Sequence, residues 1–179
     1  MHVLYVLPEL TERRTTAAQV RAAALLPLLA SRVDLTVLTF VRAGDTPASV
    51  AGLPDGRIIR VPRQGISSAS LALGTILPRP RAFRRFDSLT ARKALGNAVQ
   101  TCQPDIVHFD GFATLGLMAV VKSLHPRCRI VAHLHDAQSA RMERYTRMGS
   151  LLNRFQKSIE YRKLLRCENR ELGIADLTL

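Results

Sequence analysis

Near-continuous aliphatic runs alternate along this chain with segments of helical composition, and that alternation restricts the fold more than any other feature. His2-Val-Leu-Tyr-Val-Leu-Pro8 opens as an apolar strand. Thr16 to Ser31 has helical composition with Thr15 or Thr16 as N-cap, and Pro27 is expected to kink its last turns. Val33-Asp-Leu-Thr-Val-Leu-Thr-Phe40 is a second strand rich in β-branched residues. A Gly/Pro/Asp loop over 42–56 leads to a short strand, Arg57-Ile-Ile-Arg-Val-Pro62. Residues 63–80 carry no clear period. A helix is expected over 83–100, a strand at Asp105–Asp110, a helix over 113–124 and a strand at Arg129–His135. A long helical region from 139 to 172, broken near Gly149, precedes a last strand that starts at Ala175. Strands that stay apolar on both faces must be covered on both faces. The expected fold is therefore a Rossmann-like, doubly wound parallel α/β sheet with helices on both sides, one domain spanning 1–179.

Composition narrows the setting. At 179 residues the chain suffices for one sizeable core. No apolar stretch approaches the roughly 20 residues of a membrane span, and no signal-peptide pattern occupies the first forty residues. Cys102, Cys128 and Cys167 are odd in number and lack Cys-x-x-Cys spacing, so they read as buried thiols of a reduced, cytoplasmic protein. The net charge of +12 favours polyanionic neighbours. One basic group, Arg79, Arg81, Arg84, Arg85, Arg92 and Lys93, faces Asp87 alone and lies beside the apolar segment 66–77; a peripheral contact with the inner membrane face or with a lipid phosphate is the expectation there. A second group over Arg154–Arg170 is diluted by Glu160 and Glu168 and reads as a solvated surface. Nucleic acid is not an expected partner, because none of the nine aromatic residues, three Tyr and six Phe, interleaves a basic run.

Ligands of open α/β sheets bind outside the carboxyl ends of the strands. Three such ends carry polar residues here, and their loops should converge on one crevice. The first, Pro8-Glu-Leu-Thr-Glu12, leads into the helix start Thr16-Ala-Ala-Gln19, whose free N–H groups suit an anion but also describe an ordinary capped helix. No Gly-x-Gly-x-x-Gly or P-loop pattern supports a dinucleotide or nucleotide fingerprint. The second end gives Asp110-Gly111, fitted to a hydroxyl-rich ligand or to a plain turn. The third, His133-Leu-His-Asp136, is the strongest local signal. Strand alternation puts His133 and His135 on one face; His133 reads as a satisfied core histidine, and His135, nearer the strand end, sits at the mouth, where an imidazole can act as a base or stabilise developing charge. A metal held by His133, His135, Asp136 and His108 or Asp110 is the weaker reading, and no metal site is assigned.

The order and spacing of these segments resemble the N-terminal domain of GT-B-fold glycosyltransferases of the retaining glycosyltransferase family 4 type, over essentially the whole chain. Besides the strands above, the resemblance rests on Leu77-Pro-Arg-Pro-Arg-Ala-Phe-Arg-Arg-Phe86, Pro104-Asp-Ile-Val-His-Phe-Asp-Gly111, Ile130-Val-Ala-His-Leu-His-Asp136 and the closing Arg170-Glu-Leu-Gly-Ile-Ala-Asp-Leu-Thr-Leu179. It implies a lobe that recognises the acceptor, a small molecule or a lipid-linked one. A C-terminal domain, in the same gene or a separate chain, would bind the nucleotide-sugar co-substrate, with no cofactor. It maps a catalytic role onto His135 and substrate contact onto the stretch Thr16, Ala17, Ala18 and Gln19; Asp110, Gly111 and Asp136, read from the strand ends above, complete the candidate substrate contacts. Relatives often carry Gly-Gly where this chain has Ala17-Ala18, and the added Cβ atoms restrict backbone approach to donor phosphates. The chain ends inside its last strand, so a truncated, by itself inactive half-enzyme is expected. The alternative is a non-catalytic domain that binds anions or a membrane surface.

Overall fold

The computed structural model describes residues 1–11, 16–42, 44–45, 48–63, 65, 78–134, 138–146 and 150–179. Six parallel strands form one sheet in the order β3-β2-β1-β4-β5-β6. They are β1 (His2–Leu7), β2 (Asp34–Val41), β3 (Ile58–Pro62), β4 (Ile106–Asp110), β5 (Arg129–His133) and β6 (Leu177–Thr178). The helices are α1 (Ala17–Ala30), α2 (Arg81–Arg84), α3 (Leu89–Cys102), α4 (Met118–Leu124), α5 (Gln138–Thr146) and α6 (Leu151–Leu172). The expected doubly wound sheet is present, and its order reverses between β1 and β4. That reversal opens a crevice above the carboxyl ends of those two strands.

The sheet separates two cores. Val3, Tyr5, Leu7, Leu35, Val37 and Ile58 project to one side and meet Ala22 and Leu26 of α1. Leu4, Val6, Leu38, Phe40, Val107, Phe109, Ile130 and Ala132 project to the other and meet α3, α4 and the end of α6 through Leu95, Val121, Leu164 and Cys167. Alternation within each strand sorts these side chains, and parallel register keeps the sorting across the sheet. α1 starts on a capping box: the Thr16 hydroxyl accepts from the Gln19 amide at 3.3 Å, and the Gln19 side chain accepts from the Thr16 N–H at 3.1 Å. The helix continues through Pro27 to Ala30.

Three expectations need correction. The helix expected over 83–100 is two helices, interrupted at Arg85–Ser88. Phe86 is buried against Phe40 there, and the extended Ser88 caps α3 by accepting from the Ala91 amide at 3.1 Å. The helix expected over 113–124 begins as a 3-10 segment, Phe112–Leu117, and becomes α-helical only at Met118. Cys128 and Cys167 are buried as expected, but Cys102 is only half-buried, with its sulfur 3.8 Å from the Thr36 hydroxyl.

Candidate functional site

The β1–β4 reversal holds a small pocket of about 80 Å³ lined by Leu7, Pro8, Glu9, Thr16, Ala18, Gln19 and Asp110. Of the seven residues singled out for substrate contact, four (Thr16, Ala18, Gln19 and Asp110) meet here. Ala17 is exposed on the first turn of α1. His135 and Asp136 lie outside the described residues.

Asp110 anchors the pocket floor. It ends β4 and is 1% exposed. The Tyr5 hydroxyl donates to Oδ2 at 3.0 Å, and Arg21 Nη2 donates to Oδ1 at 3.2 Å. A carboxylate so deeply buried is tolerated because each of its oxygens finds a donor. Burial first, then the adjacent Asp110 carboxylate, push the Tyr5 phenol far above its ordinary range, so Tyr5 serves only as a donor. His108 stacks on Tyr5 with ring centroids 4.5 Å apart, and His133 meets His108 edge-on at 5.7 Å. His133 stands opposite Asp110 in the ladder and is half-buried rather than sealed in the core.

Gly111 follows with φ 85° and ψ 145°, a conformation essentially reserved for glycine. Its N–H donates to the His133 carbonyl at 2.8 Å, which ties the ends of β4 and β5 together at the crevice. The amide is thus committed to the sheet, and the glycine shapes the turn that presents Asp110.

On the other wall Glu9 is a hub. It accepts from Gln19 Nε2 at 3.3 Å, from Arg42 at 3.1 Å and from Arg63. Arg63 also lies over the Phe86 ring, 5.1 Å from its centroid. Gln19, 7% exposed, therefore links the helix cap to the first strand loop and to a cationic rim at the ends of β2 and β3. Tyr5, Arg21, Arg42 and Arg63 were not singled out in the sequence. Tyr5 carried a faint signal, a polar tip inside an otherwise aliphatic strand.

The Arg79–Lys93 group is less open than its sequence implies. Arg79 and Arg92 both pair with Asp87, whose side chain is 1% exposed. Arg92 donates to it twice, at 2.5 and 2.9 Å, and this hydrogen bonding raises the Arg92 pKa. Among the described residues no cluster of three or more His, Cys, Asp or Glu could hold a metal ion, and no helix is long and apolar enough to cross a membrane.

Sheet order, a switch-point pocket and helices on both faces define a Rossmann-like α/β domain, similar in fold to part of GT-B glycosyltransferases. Its structural relatives include UGT2 of Phytolacca americana, solved with UDP-2-fluoro-glucose and pterostilbene. The TM-score is 0.57 at 12% identity, over 98% of this chain and 46% of that one. The same protein without ligand gives a TM-score of 0.57 at 13% identity, over 99% and 45%. The chain thus spans less than half the length of these transferases, and at such identity the likeness speaks for the fold. The chain belongs to Glycosyltransferase Family 4, whose profile matches residues 18–169. No curated protein sequence matches it.

Proposed function

We propose that this domain is the acceptor-side lobe of a retaining glycosyltransferase that takes its sugar from a nucleotide-sugar donor. The observation that carries the reading is the convergence of Thr16, Gln19, Glu9 and Asp110 on one pocket at the sheet's switch point. Carboxylates and a carboxamide placed side by side suit the hydroxyls of a sugar or polyol. The pocket, about 80 Å³, is too small for a whole nucleotide sugar. The reading therefore assigns donor binding mainly to a second lobe, in the same chain or a separate one, with no further cofactor.

The reaction exchanges one bond for another. The anomeric carbon's bond to the donor phosphate breaks with its electron pair leaving on the phosphate. A bond to the acceptor hydroxyl forms, and that hydroxyl's proton goes to the departing phosphate. Positive charge grows on the sugar ring between these events. The reading places His135 at that point, because β5 ends at the crevice and His135 follows His133 by two residues. A group that meets charge present only at the transition state raises turnover rather than affinity.

The test is product analysis by proton NMR, with the chain alone and with its donor lobe. The chain alone should transfer no sugar, and the completed enzyme should give a product with the donor's anomeric configuration. Transfer by the isolated chain would overturn the division of labour. An inverted product would overturn the retaining mechanism.

A further inference from the structure

Arg63 is a buried cation, its side chain only 9% exposed. It follows β3 directly. Its backbone N–H donates to the Val41 carbonyl at 2.8 Å, so the pairing of β2 with β3 carries it to the carboxyl edge of the sheet. Its guanidinium lies over the Phe86 ring, 5.1 Å from the centroid, and Nη1 donates to Glu9 Oε1. Phe86 is in turn packed edge-on against Phe40, with ring centroids 5.0 Å apart. The head group is thus held between an aromatic face and a carboxylate. That contact fixes a planar fork which on an open surface would sample many rotamers.

Two further guanidiniums share this corner. Arg42, just past the end of β2, donates through Nη2 to the same Glu9 oxygen at 3.1 Å, and its side chain is 57% exposed. Arg85 caps the end of α2 and is exposed, near enough to Arg63 to act on its charge. The Arg63 pKa is lowered, first by burial and then by Arg42 and Arg85, with Glu9 and Asp45 opposing. Both acids are engaged. Glu9 Oε1 serves Arg42 and Arg63 while Oε2 takes Gln19, and Asp45 accepts from the Arg42 backbone N–H at 3.3 Å. Three guanidiniums against two carboxylates leave one positive charge in excess. A guanidinium also carries more N–H donors than one shared carboxylate oxygen can take, so the pairing with Glu9 does not exhaust them.

We propose that Arg42, Arg63 and Arg85 form a specificity site for an anionic group on the acceptor, a phosphate monoester or a carboxylate, while the acceptor's hydroxyls enter the pocket beside Glu9. That the bound molecule is an acceptor rests on the transferase reading; that it is an anion rests on the arginines alone. Glu9 joins the two halves, since it lines the pocket and carries two of the arginines. The pocket of about 80 Å³ takes only a small part of a ligand, and on its Glu9 side the rest meets the arginine rim. A fork held flat on Phe86 matches two oxygens of a phosphate or carboxylate, and such charge-assisted bonds are the strong ones. The exposed heads of Arg42 and Arg85 add attraction without the cost of burying a further charge.

Glycerol 3-phosphate, glycerate and glycerol share a short polyol body and differ in charge, so they serve as probes. Titrated into the isotope-labelled chain at low salt and followed by amide NMR, the phosphate or the carboxylate should give saturable shifts at Glu9, Arg42, Arg63 and Arg85. Glycerol at the same concentrations should give none. The tighter of the two anions names the source, and either one at these residues supports the site. Because Arg63→Gln would also unsettle Glu9 and Phe86, the exposed pair carries the test. Arg42→Gln and Arg85→Gln should each weaken binding about tenfold, and together abolish it, with the thermal melt in place. Arg154→Gln, in the other basic group, should change nothing. Glycerol binding as tightly as the anions would overturn the proposal. So would anion shifts scattered over the basic surface and undiminished in the double variant. Neither result bears on product analysis of the completed enzyme, where the transferase reading stands or falls.

Discussion

The switch-point pocket and the start of α6 break the ordinary burial rule in opposite directions. At the pocket a carboxylate is 1% exposed yet satisfied, by Tyr5 and Arg21. At this tip of α6, Leu151, Leu152 and Phe155 stand in solvent. Polar groups are kept inside only when each finds a partner, and apolar groups are kept outside at small cost. The pocket's buried carboxylate is therefore tied to the fold through Tyr5 and Arg21. The tip can be altered without the fold registering it.

The largest effect should follow Asp110→Ala. It strips the Tyr5 hydroxyl of its acceptor in a buried setting and leaves Arg21 without its carboxylate, for a loss of about 3 kcal/mol by thermal melt. A melt within about 0.5 kcal/mol of native would show that the pocket is not a packed polar network.

Tyr5→Phe removes one hydrogen bond to a charged acceptor and should cost about 1.5 kcal/mol near neutral pH. Its signature is in the pH dependence. The folded phenol titrates above its unfolded value of about 10, so the stability it confers is complete below that pH. It erodes as pH rises past it, because the unfolded chain loses the proton more readily. The difference between native and Tyr5→Phe should therefore narrow above about pH 10. A difference constant from neutral to strongly alkaline pH would contradict the assigned hydrogen bond.

The smallest effect belongs to the tip. Leu151→Ser, Leu152→Ser and Phe155→Ser together should move the melt by no more than the sum of ordinary surface changes, about 0.5 kcal/mol each. A loss comparable with that of Asp110→Ala would mean that the patch is covered, and the contrast between the two regions would fail.

Sheet type, strand order along the chain and the Thr16 cap were legible because each rests on local pattern: continuous aliphatic runs, helical spacing, a hydroxyl before an apolar stretch. Asp110 was legible because strand ends are few and a carboxylate at one of them stands out. The break at Arg85–Ser88 was not, since it depends on Phe86 reaching Phe40 and on the buried Asp87 gathering Arg79 and Arg92. Arg21 was missed for the same reason: its partner is 89 residues away, and nothing local distinguishes it from any helical arginine. Glu9 lay in a strand-end loop already suspected, but its role as acceptor for Gln19, Arg42 and Arg63 exists only once three strand ends are side by side. The tip escaped notice because exposure is a property of the assembled domain, and Leu-Leu-Asn-Arg-Phe reads in sequence as ordinary helix.

The central claim is that chemistry occurs where β5 ends, with His135 at the reacting sugar and His133 in a supporting position against His108. Steady-state kinetics of His135→Ala and His133→Ala in the enzyme with its donor lobe, run beside thermal melts, test it most directly. The account predicts that His135→Ala lowers kcat by the equivalent of about 2–4 kcal/mol, as for other preorganised groups that meet developing charge, with acceptor KM and the melt little changed. It predicts that His133→Ala lowers the melt, with a smaller loss of turnover. Near-normal turnover in His135→Ala, or a loss of turnover in His133→Ala with an unaltered melt, would contradict it.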